Sequence, residues 1–591
     1  MQCLEDSGYT HCFYVAGGNS MHLLESASKI FQCIPVIHEV TAAIAAEYFN
    51  VSRKDKQRAF VLVTAGPGAT NAITGIAGAW LESRELLVVG GQVKSTHLSN
   101  GKIRQKGIQE ITGRSLMRNI SKSSVTIKKP FSAAEIIEVI SQTWEKRKGP
   151  VFVEVCIDVS AQMIETNKFK KVKSKKEKKF LKTNIKYSIQ KNNLLSDLKA
   201  ARKPLVLLGG GVNQSTVLQL LDTFENYQIP IACTWAGAEN CGFDYPYFAG
   251  RPNHFGMRWA NIFLQQSDLL LAVGTSLGFQ QTGFNIEKFL PQGKIYHIDV
   301  DKNELNKKNP KNRIKINIDS DKFLKDFKNI LEINKVYYQD WAHFLINIKN
   351  VIPVLEDVQK CKSPYLSPHS VINKVSRIVT KQDKIISCSS GGTFTAMLQC
   401  FENLNGQTFL SNKGLASMGY GLAGAIGAAL SQHHSTRILL FEGDGGFAQN
   451  LQELGIVKNR ELNIKIFLTS NNGYSSIRMS QKNYFGGNYL GCDQKTGLFL
   501  PNWIKICEAF GIRYFHLDSQ SLQSSEFEKL MKNDGPVFFE ILSDPEFMYL
   551  PRIESMIQEN GQMVSKPLDD MFPPLSEEIT RFIQDEATKL G

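Results

Sequence analysis

The segments RILLFEGDGGF, residues 437–447, and KIFLTSNNGY, residues 465–474, predict the core of an α/β domain, because each joins an apolar run of strand length to a glycine-containing turn. In open parallel sheets, ligands bind beyond the carboxyl ends of the strands, where loop amides face outward. Glycines let the backbone close on an anion, while Asp444 and the amide oxygen of Asn471 are hard ligands for a divalent cation. Each turn alone is common, but together they predict a diphosphate held through a metal ion.

The same strand and helix rhythm continues along the chain and predicts three doubly wound α/β domains with parallel sheets. The expected divisions are a first domain at 1–160, a lysine-rich linker at 161–190, a central Rossmann-like domain at 191–345, a third domain at 365–545 and a C-terminal tail at 546–591. The tail is expected either to face the active site or to wrap the surface. The predicted strands are Ala59–Val63, Leu86–Val89, Val151–Val155, Pro204–Leu208, Asp268–Val273, Lys294–Val300, Ile385–Ser387, Arg437–Phe441, Lys465–Thr469 and Val537–Ile541.

Composition indicates a globular enzyme rather than a membrane or disulfide-rich protein. Of the 591 residues, 42% are hydrophobic and 21% charged, and no run approaches the roughly 18 apolar residues of a membrane span. The N-terminus does not resemble a signal peptide, so a cytoplasmic location is expected. The 11 cysteines form no CxxC pair, which argues against a disulfide framework or a zinc site and favours free, mostly buried thiols.

The formal charge of +13 could suggest nucleic acid as a partner. Much of the excess positive charge, however, lies in one stretch, from Lys168 to Lys186. Blocks of like charge usually stay solvated. We therefore interpret this stretch as a linker between domains, and expect neither a nucleic acid nor a membrane partner.

GDGGF followed by SNNGY resembles the cofactor signature of thiamine diphosphate enzymes, and residues 1–160 resemble the pyrimidine-binding domain of acetolactate synthases. The resemblance covers nearly the whole chain. It is densest in the two metal motifs and in VIHEVTAAIAAEY at 36–48, VLVTAGPGATNAITGIAGAW at 61–80 and KGLASMGYGLAGAIGAAL at 413–430. It implies that thiamine diphosphate and Mg²⁺ bind the third domain and that the first domain binds the pyrimidine ring.

The resemblance also implies individual cofactor contacts. Asp444 and Asn471 would bind the metal through their side chains and Gly473 through its carbonyl; Ser470 replaces the first asparagine of the family motif, but the liganding second asparagine is retained. Met418 matches the bulky residue over which the family bends the cofactor. The other expected cofactor-binding residues are Ser389, Ser390, Gly391, Gly392, Thr393, Gly443, Gly445, Gly446, Asn472 and Tyr474.

By the same resemblance, Glu39 would be the catalytic carboxylate that hydrogen-bonds the pyrimidine ring, while Gly18 and Gln109 line the approach to the reacting carbon, with Gly17 and Ile108 beside them. Out of this context, Glu39 would be an ordinary surface carboxylate and Gln109 an exposed helical residue. In this family the cofactor bridges domains of two subunits. A homodimer or homotetramer is therefore expected.

The resemblance implies decarboxylation of a 2-keto acid such as pyruvate and transfer of the hydroxyethyl or acetyl unit to a second carbonyl acceptor. Two departures concern the acceptor: GTSLGFQQTGFN at 274–285 lacks the family's arginine, and Ser480 replaces a tryptophan. The sequence is similar there to relatives that use keto-sugar nucleotides. Arg478 is either a phosphate partner for such an acceptor or a solvated helix cap. A non-ligating decarboxylase is the alternative, and a noncatalytic regulatory subunit is disfavoured because Glu39, Asp444 and Asn471 are present.

The central domain of this family often binds FAD, which would make the protein a flavoprotein. Gly209–Gly211, Arg251, Gly274 and Asp299 are compatible with a dinucleotide. The glycine triplet lacks the full dinucleotide spacing and could equally form a tight turn. FAD binding is left open.

Overall fold

The fold is taken from a computed structural model of the protein, in which residues 1–53, 55–163, 185–311, 313–432, 435–557, 559, 561 and 563–590 are described. These residues form three parallel sheets of five or six strands with flanking helices. Buried apolar side chains cover both faces of the first and third sheets. The prediction of three doubly wound α/β units is confirmed.

The first sheet has the strand order β2-β1-β3-β4-β6-β5. In such an order the chain reverses its direction across the sheet between β1 and β3, and ligands bind at this switch point. The strands are β1 Tyr9–Tyr14, β2 Gln32–Pro35, β3 Arg58–Val63, β4 Leu86–Gln92, β5 Ser123–Ile127 and β6 Pro150–Cys156. The helices are α1 Gln2–Asp6, α2 Met21–Ser28, α3 Glu39–Ser52, α4 Pro67–Asn71, α5 Ile73–Leu81, α6 Gly113–Met117, α7 Ala133–Ser141 and α8 Ile157–Ser160.

The central sheet has the order β11-β10-β9-β7-β8, with its switch point between β7 and β9. Its strands are β7 Pro204–Leu208, β8 Ile231–Cys233, β9 Leu269–Val273, β10 Lys294–Asp299 and β11 Arg313–Asn317. Its helices are α9 Ile185–Ala200, α10 Gln214–Leu218, α11 Leu221–Asn226, α12 Arg258–Gln265, α13 Phe279–Thr282, α14 Lys302–Leu305, α15 Ser320–Asn334 and α16 Gln339–Val351.

The third sheet, β13-β12-β14-β15-β17-β16, repeats the strand order of the first, with its switch point between β12 and β14. Its strands are β12 Lys384–Ser387, β13 Thr408–Leu410, β14 Ile438–Gly443, β15 Ile464–Ser470, β16 Arg513–Leu517 and β17 Val537–Leu542. Its helices are α17 Pro368–Ser376, α18 Gly391–Cys400, α19 Tyr420–Leu430, α20 Asp444–Phe447, α21 Leu454–Asn459, α22 Ser475–Tyr484, α23 Trp503–Phe510 and α24 Ser525–Lys532.

The C-terminal tail runs back over the central domain. Leu568, Ile583 and Leu590 join the buried core of that domain, and α25 packs on α16. The tail therefore covers the central domain, after first passing the third. Its elements are β18 Arg552–Ile553, β19 Ser555–Ile557, β20 Met563–Ser565, β21 Met571–Phe572 and α25 Glu577–Lys589.

The first and third domains share one hydrophobic core, whose centre is the contact of α3 with α19. A Cβ added to Gly427 would lie 2.0 Å from the carbonyl oxygen of Ala45, and one added to Gly424 would lie 2.8 Å from the ring of Tyr48. These distances are too short for any side chain. At Gly427 the two helices therefore touch through their backbones, and at Gly424 the Tyr48 ring packs directly on the backbone of α19.

A buried polar cluster reinforces this interface. The Glu47 carboxylate accepts hydrogen bonds from Arg84 at 2.8 Å and from the Tyr420 hydroxyl at 2.8 Å, while Arg84 also donates to the Ser411 carbonyl at 2.6 Å. Glu47 is fully buried, and burial raises the pKa of its carboxyl against the opposing effect of Arg84. The hydrogen bonds of this ion pair to Tyr420 and Ser411 therefore join the first domain to the third through buried groups.

The ten predicted strands all exist, with ends shifted by at most three residues. The predicted small-residue helix at Ala69–Trp80 is broken into α4 and α5.

Residues 164–184, which hold most of the predicted linker, lie outside the described residues, and residues 185–190 form the start of α9. All 11 cysteines are free and most are buried. In the part of the chain that the structure describes, no helix is long and apolar enough to cross a membrane.

Replacing Arg84 by Met should destabilise the protein by about 3–5 kcal/mol, because it leaves the buried Glu47 carboxylate unpaired. The matched control is Arg377→Met, which removes an ion pair to Glu402 whose arginine is 62% exposed and which should cost about 0–1 kcal/mol. Urea unfolding of both variants measures the difference. Equal losses would contradict the interdomain role of Arg84.

Candidate active site

The third domain gathers its candidate residues at one end of its sheet. Ser389–Thr393 follow β12, Asp444 follows β14, and Asn471–Gly473 follow β15. These three strands are neighbours, and β12 and β14 form the switch point. The structure thus brings these predicted diphosphate and metal residues to one edge, as the sequence indicated.

Asp444 anchors this edge through backbone hydrogen bonds. One carboxylate oxygen accepts from the amides of Asn471 at 2.9 Å and Gly473 at 3.1 Å, and the other accepts from the amide of Gly445 at 2.7 Å. Gly473 has φ +127°, and a Cβ there would lie 2.2 Å from the Cys492 carbonyl oxygen. The loop after β15 is therefore folded onto Asp444, and this fold requires glycine at 473.

The donor set fits a hard divalent cation. The side-chain oxygen of Asn471 is buried without a hydrogen-bond partner, although buried amide oxygens are normally paired. The backbone amide of the same residue donates to the Asp444 carboxylate. The Gly473 carbonyl accepts one hydrogen bond, from the Ser475 amide at 3.1 Å. No group of three His, Cys, Asp or Glu side chains that could hold a metal occurs among the described residues. One carboxylate, one amide and one carbonyl suit Mg²⁺, which keeps water and phosphate oxygens in its shell.

Asp444 is almost completely buried, at 2% exposure, and burial raises the pKa of its carboxyl to about 6, against the effect of the backbone amides. Desolvation disfavours the charged form unless a cation compensates it. A cleft of about 180 Å³, lined in part by Asp444, Ser470 and Asn472, opens beside it. A metal ion can therefore reach this carboxylate.

The segment after β12 has the features of an anion cradle. The Ser389 hydroxyl is buried without a partner, Gly391 has φ +81° with open space where a Cβ would be, and Gly392 faces the ring of Tyr549, 1.9 Å from the position of a Cβ. An unpaired hydroxyl and open backbone at the start of α18 fit phosphate oxygens. Ser390 and Thr393 border the same turn.

The remaining predicted cofactor residues surround this edge. Gly445 packs under the Tyr474 ring, and Gly446 packs against Glu442, whose pKa burial raises to about 8. Met418 is half-buried in the loop that leads into α19, and its carbonyl accepts from the Ser417 hydroxyl at 3.0 Å. Gly443 ends β14, and Asn472 is exposed with φ 61°.

Arg478 has neither of the roles considered for it. It is only 4% exposed, and its guanidinium donates to the carbonyls of Asn471 at 2.7 Å, Asn472 at 3.3 Å and Pro545 at 3.0 Å. The interpretation as a solvated cap is wrong, and its hydrogen-bonding capacity is committed to the backbone. Arg478 instead positions the loop that carries Asn471.

The first domain forms a second cluster at its own switch point. Glu39 is buried, and its carboxylate accepts a hydrogen bond from the Asn71 side chain at 3.0 Å. The amides of Ile37 and His38 donate to Glu453 of the third domain at 3.2 and 3.1 Å. Glu39 is therefore not an ordinary surface carboxylate, and the turn that presents it is fixed from both sides.

Gly18 and Gln109 lie near this turn. Gly18 is exposed after β1, and a Cβ on Gly17 would strike the Thr64 side chain at 2.3 Å. Gln109 is exposed in a turn with φ 61°, so the alternative of a helical glutamine is wrong. Its carbonyl oxygen would lie 2.5 Å from a Cβ on Gly66, which follows β3. Gly18 and Gln109 thus flank the loops after β1 and β3.

The loop carrying Gln109 is held by its neighbour Glu110. The Glu110 carboxylate accepts from the amides of Ser99, Lys106 and Gly107. Burial opposes its ionisation, but the amides outweigh burial and lower its pKa to about 2. The Gln109 loop is therefore pinned through the charged form of Glu110.

The two clusters lie on different domains of the chain. In the described residues, no hydrogen bond, ion pair or ring contact links Gly18, Glu39 or Gln109 to the residues around Asp444. Large apolar side chains are exposed beside both clusters: Ile37 and Ile108 at 61% and 86%, and Phe485 and Leu490 at 68% and 75%.

The residues proposed for FAD are largely engaged within the protein. Arg251 is fully buried and donates to the carbonyls of Leu398 and Phe401 and to the side chain of Asn403, which ties the central domain to the third. The amides of Gly209 and Gly211 donate to Val273 and Gly274. Arg251 does not fit as a phosphate contact, and the glycines act as a close-packed turn. FAD binding stays a prediction.

Sequence reasoning missed several residues that shape the two clusters. Asn71, Glu453 and Tyr549 contact or border predicted site residues. Asn71 could have been found from its place in the segment 61–80, at the end of a glycine-rich turn. Tyr549 lies in the tail, where the sequence pattern is weak.

Three α/β units, with candidate site residues at the switch points of the first and third, fit the thiamine-dependent class of enzymes, and comparison with known families agrees. Family models for the thiamine pyrophosphate enzymes match this chain in order: the N-terminal TPP binding domain at 1–116, the central domain at 192–327 and the C-terminal TPP binding domain at 390–541.

The chain belongs to the thiamine pyrophosphate enzymes, and within them to the acetolactate synthase-like enzymes, which are transferases and carboligases. It is 28% identical to the acetolactate synthase large subunit of Lactococcus lactis, over 94% of this chain and 93% of the relative. It is 25% identical to the isozyme 1 large subunit of Escherichia coli, over 93% and 94%. A probable large subunit of Methanocaldococcus jannaschii is 27% identical over 86% and 85%.

Binding of Mg²⁺ with thiamine diphosphate should weaken below about pH 6, by up to about tenfold per pH unit, because the proton competes with the metal for Asp444. Above pH 6 the carboxylate is free of the proton and affinity should level off. Calorimetric titration between pH 5 and 8 measures this, with the cofactor and Mg²⁺ alone as the control.

Asp444→Ala should abolish metal-dependent retention of the cofactor. Tight retention by that variant would contradict the site.

Proposed function

We propose that this protein is a thiamine diphosphate- and Mg²⁺-dependent carboligase of acetolactate synthase type. It decarboxylates a 2-keto acid, pyruvate or a close analogue, and transfers the resulting two-carbon unit to a second carbonyl acceptor. The observation that carries the proposal is the unpaired side-chain oxygen of Asn471 beside the Asp444 carboxylate, at a sheet edge with an open anion cradle.

In this proposal, Asp444, Asn471 and Gly473 hold the metal, and the segment Ser389–Thr393 holds the diphosphate with Gly443, Gly445 and Gly446. Asn472, Tyr474 and Met418 border the cofactor. Bound thiamine diphosphate supplies the electron sink that stabilises the negative charge left by decarboxylation. The chain itself orients the cofactor, excludes water and moves protons.

Glu39 is the proposed proton-exchanging group, acting on the pyrimidine ring nitrogen. Its carboxylate is buried, with Asn71 holding one oxygen and the helix α3 beginning at the same residue. This leaves the other oxygen available to a ligand at the switch point. Gly18 offers an open backbone there, since nothing lies within 4 Å of where a Cβ would be, and Gln109 is exposed on the opposite loop.

A homodimer is the proposed minimum active unit, with a homotetramer as a pair of such dimers. The separation of the two half-sites within a chain supports this, because a complete site then needs the first domain of one copy and the third domain of another. Exposed apolar side chains beside both half-sites offer the surface that such an interface buries. The exposed side chains include those of Ile108 and Leu490.

The acceptor is proposed to differ from a second pyruvate and to include keto-sugar nucleotides. Ser480 is exposed on α22, and its hydroxyl is bonded to the Ser476 carbonyl at 3.0 Å, so no bulky group fills that place. The segment 274–285 presents two stacked, exposed rings, Phe279 and Phe284, rather than a cation. A larger acceptor is therefore accommodated better than a small keto acid.

Glu39→Gln should retain fold and cofactor but slow exchange of the reactive ring proton of the cofactor by at least about a hundredfold, the lower range for a positioned acid or base. Proton NMR of exchange in deuterated buffer measures this. The control is Glu25→Gln, whose carboxylate is exposed on α2. Exchange at the normal rate in Glu39→Gln would remove Glu39 from the mechanism.

Pyruvate should be a poor acceptor, by about ten- to a hundredfold in kcat/KM, because a carboxylate without its cation lacks a charge-assisted hydrogen bond. Under saturating pyruvate as donor, products with an aldehyde, a neutral ketone and a keto-sugar nucleotide are compared by mass spectrometry. Acetolactate formed faster than any other adduct would show an ordinary acetolactate synthase. Release of free aldehyde with no adduct would favour the non-ligating decarboxylase.

A further inference from the structure

Tyr549 belongs to the tail, and the chain that leads to it starts beside the proposed metal loop. Ser470, at the end of β15, pairs with Leu542 on β17, and the amide of Ser543 donates to the Ser470 carbonyl at 2.9 Å. Asn471 follows directly on Ser470. The segment between β17 and Tyr549 therefore leaves the third sheet next to a proposed metal ligand.

The Tyr549 ring is pressed against the cradle that follows β12. A Cβ on Gly392 would lie 1.9 Å from Cε2 of this ring and 2.1 Å from Cζ, the carbon that carries the hydroxyl. On its other sides the ring centres of Phe547 and His369 lie 5.2 and 5.8 Å away. The hydroxyl end of the buried ring is therefore held at the cradle.

Gln399 on α18 fixes the tail just beyond Tyr549. Its side-chain nitrogen donates to the Pro551 carbonyl at 2.8 Å, and its side-chain oxygen accepts from Nε2 of His369 at 2.9 Å. His369 lies on α17 and is fully buried. The tail is thus tied to two helices of the third domain, so Tyr549 cannot move away from the cradle unless these contacts break.

The Tyr549 hydroxyl is buried and completes no hydrogen bond, and the side-chain oxygen of Asn471 is unpaired too. Burial raises the pKa of this hydroxyl, and the negative charge of Asp444 raises it further. The side chains of Asn471 and Thr393 face the hydroxyl and lower its pKa as hydrogen-bonding neighbours. An unsatisfied phenol from the tail therefore lies within reach of the amide that is the proposed metal ligand.

We propose that Tyr549 is a positioning residue for the metal site: its hydroxyl oxygen accepts a hydrogen bond from the side-chain NH₂ of Asn471 and so keeps the amide oxygen directed at the cation. This rests on the proposed function and adds the tail to the metal site. An amide that turns over presents its NH₂ group, which has only donors and cannot bind a cation. Groups that orient a metal ligand are typically worth about ten- to a hundredfold in metal affinity.

Two other roles of Tyr549 predict different results for Tyr549→Phe, which keeps the ring and removes only the hydroxyl. If the side chain only packs, the variant loses nothing, because an unpaired buried hydroxyl costs stability. If the hydroxyl instead donates to the diphosphate, affinity for thiamine diphosphate falls even when Mg²⁺ is saturating. Only the positioning role makes the Mg²⁺ requirement itself rise.

The test is a pair of calorimetric titrations of the full chain: Mg²⁺ at saturating thiamine diphosphate, and thiamine diphosphate at saturating Mg²⁺. Tyr549→Phe should raise the half-saturating Mg²⁺ concentration about tenfold or more and leave the second titration unchanged. Without ligands, the variant should unfold at the same temperature as the unmodified protein or higher. The matched control is Tyr9→Phe, which removes a buried, unpaired hydroxyl from the first domain and should change neither titration.

A second background separates Asn471 from other routes. In Asn471→Asp the two carboxylate oxygens are equivalent, so no orientation is needed and adding Tyr549→Phe should not raise the Mg²⁺ requirement further. If Asn471→Asp binds no cofactor, the single variant decides.

An unchanged Mg²⁺ requirement in Tyr549→Phe, or an equal rise in the Asn471→Asp background, would overturn the positioning role. A loss confined to thiamine diphosphate affinity would overturn it in favour of a diphosphate contact. Failure of the unmodified protein to bind thiamine diphosphate with Mg²⁺ would overturn the proposed function itself, and the positioning role with it.

Discussion

The direct backbone contact between α3 and α19 is the constraint on which the rest of the structure depends. Gly427 lies against the Ala45 backbone and Gly424 against the Tyr48 ring, so neither position has room for a side chain and the packing fixes how the first and third domains meet. The buried pair of Glu47 and Arg84 stabilises the same position. As a consequence, the switch points of the first and third sheets have a fixed position relative to each other.

Within the third domain, one carboxylate organises the metal loop. The Asp444 carboxylate accepts hydrogen bonds from three backbone amides, and Arg478 donates to the Asn471 carbonyl in the same loop. Only then is the Asn471 oxygen left buried and unpaired. An unpaired buried oxygen costs stability unless a ligand satisfies it, and this supports the proposed metal site.

The sequence predicted those parts of the site that follow strands. Asp444 and Asn471 each come directly after an apolar run, and the run's length alone places them at a sheet edge. It could not predict contacts between distant segments, such as Arg478 with the carbonyl of Pro545 or Arg552 with Met479. In sequence Arg478 was either a phosphate partner or a solvated cap, and only the path of the tail, which brings the Pro545 carbonyl to it, shows that it is buried.

The strand orders show a similar limit. Apolar runs identified the strands, but the identical order of the first and third sheets emerges only from their pairing. That identity gives the two domains switch points of the same kind, with Glu39 and Asp444 near them.

Mixing two inactive chains tests most directly the claim that one active centre uses the first domain of one copy and the third domain of another. Chains carrying Glu39→Gln and chains carrying Asp444→Ala are produced together with different affinity tags, and mixed assemblies are isolated through both tags. The account predicts that mixed assemblies regain decarboxylation of pyruvate, because one of their sites combines an intact Glu39 with an intact Asp444. Mixed assemblies as inactive as either variant alone would contradict it.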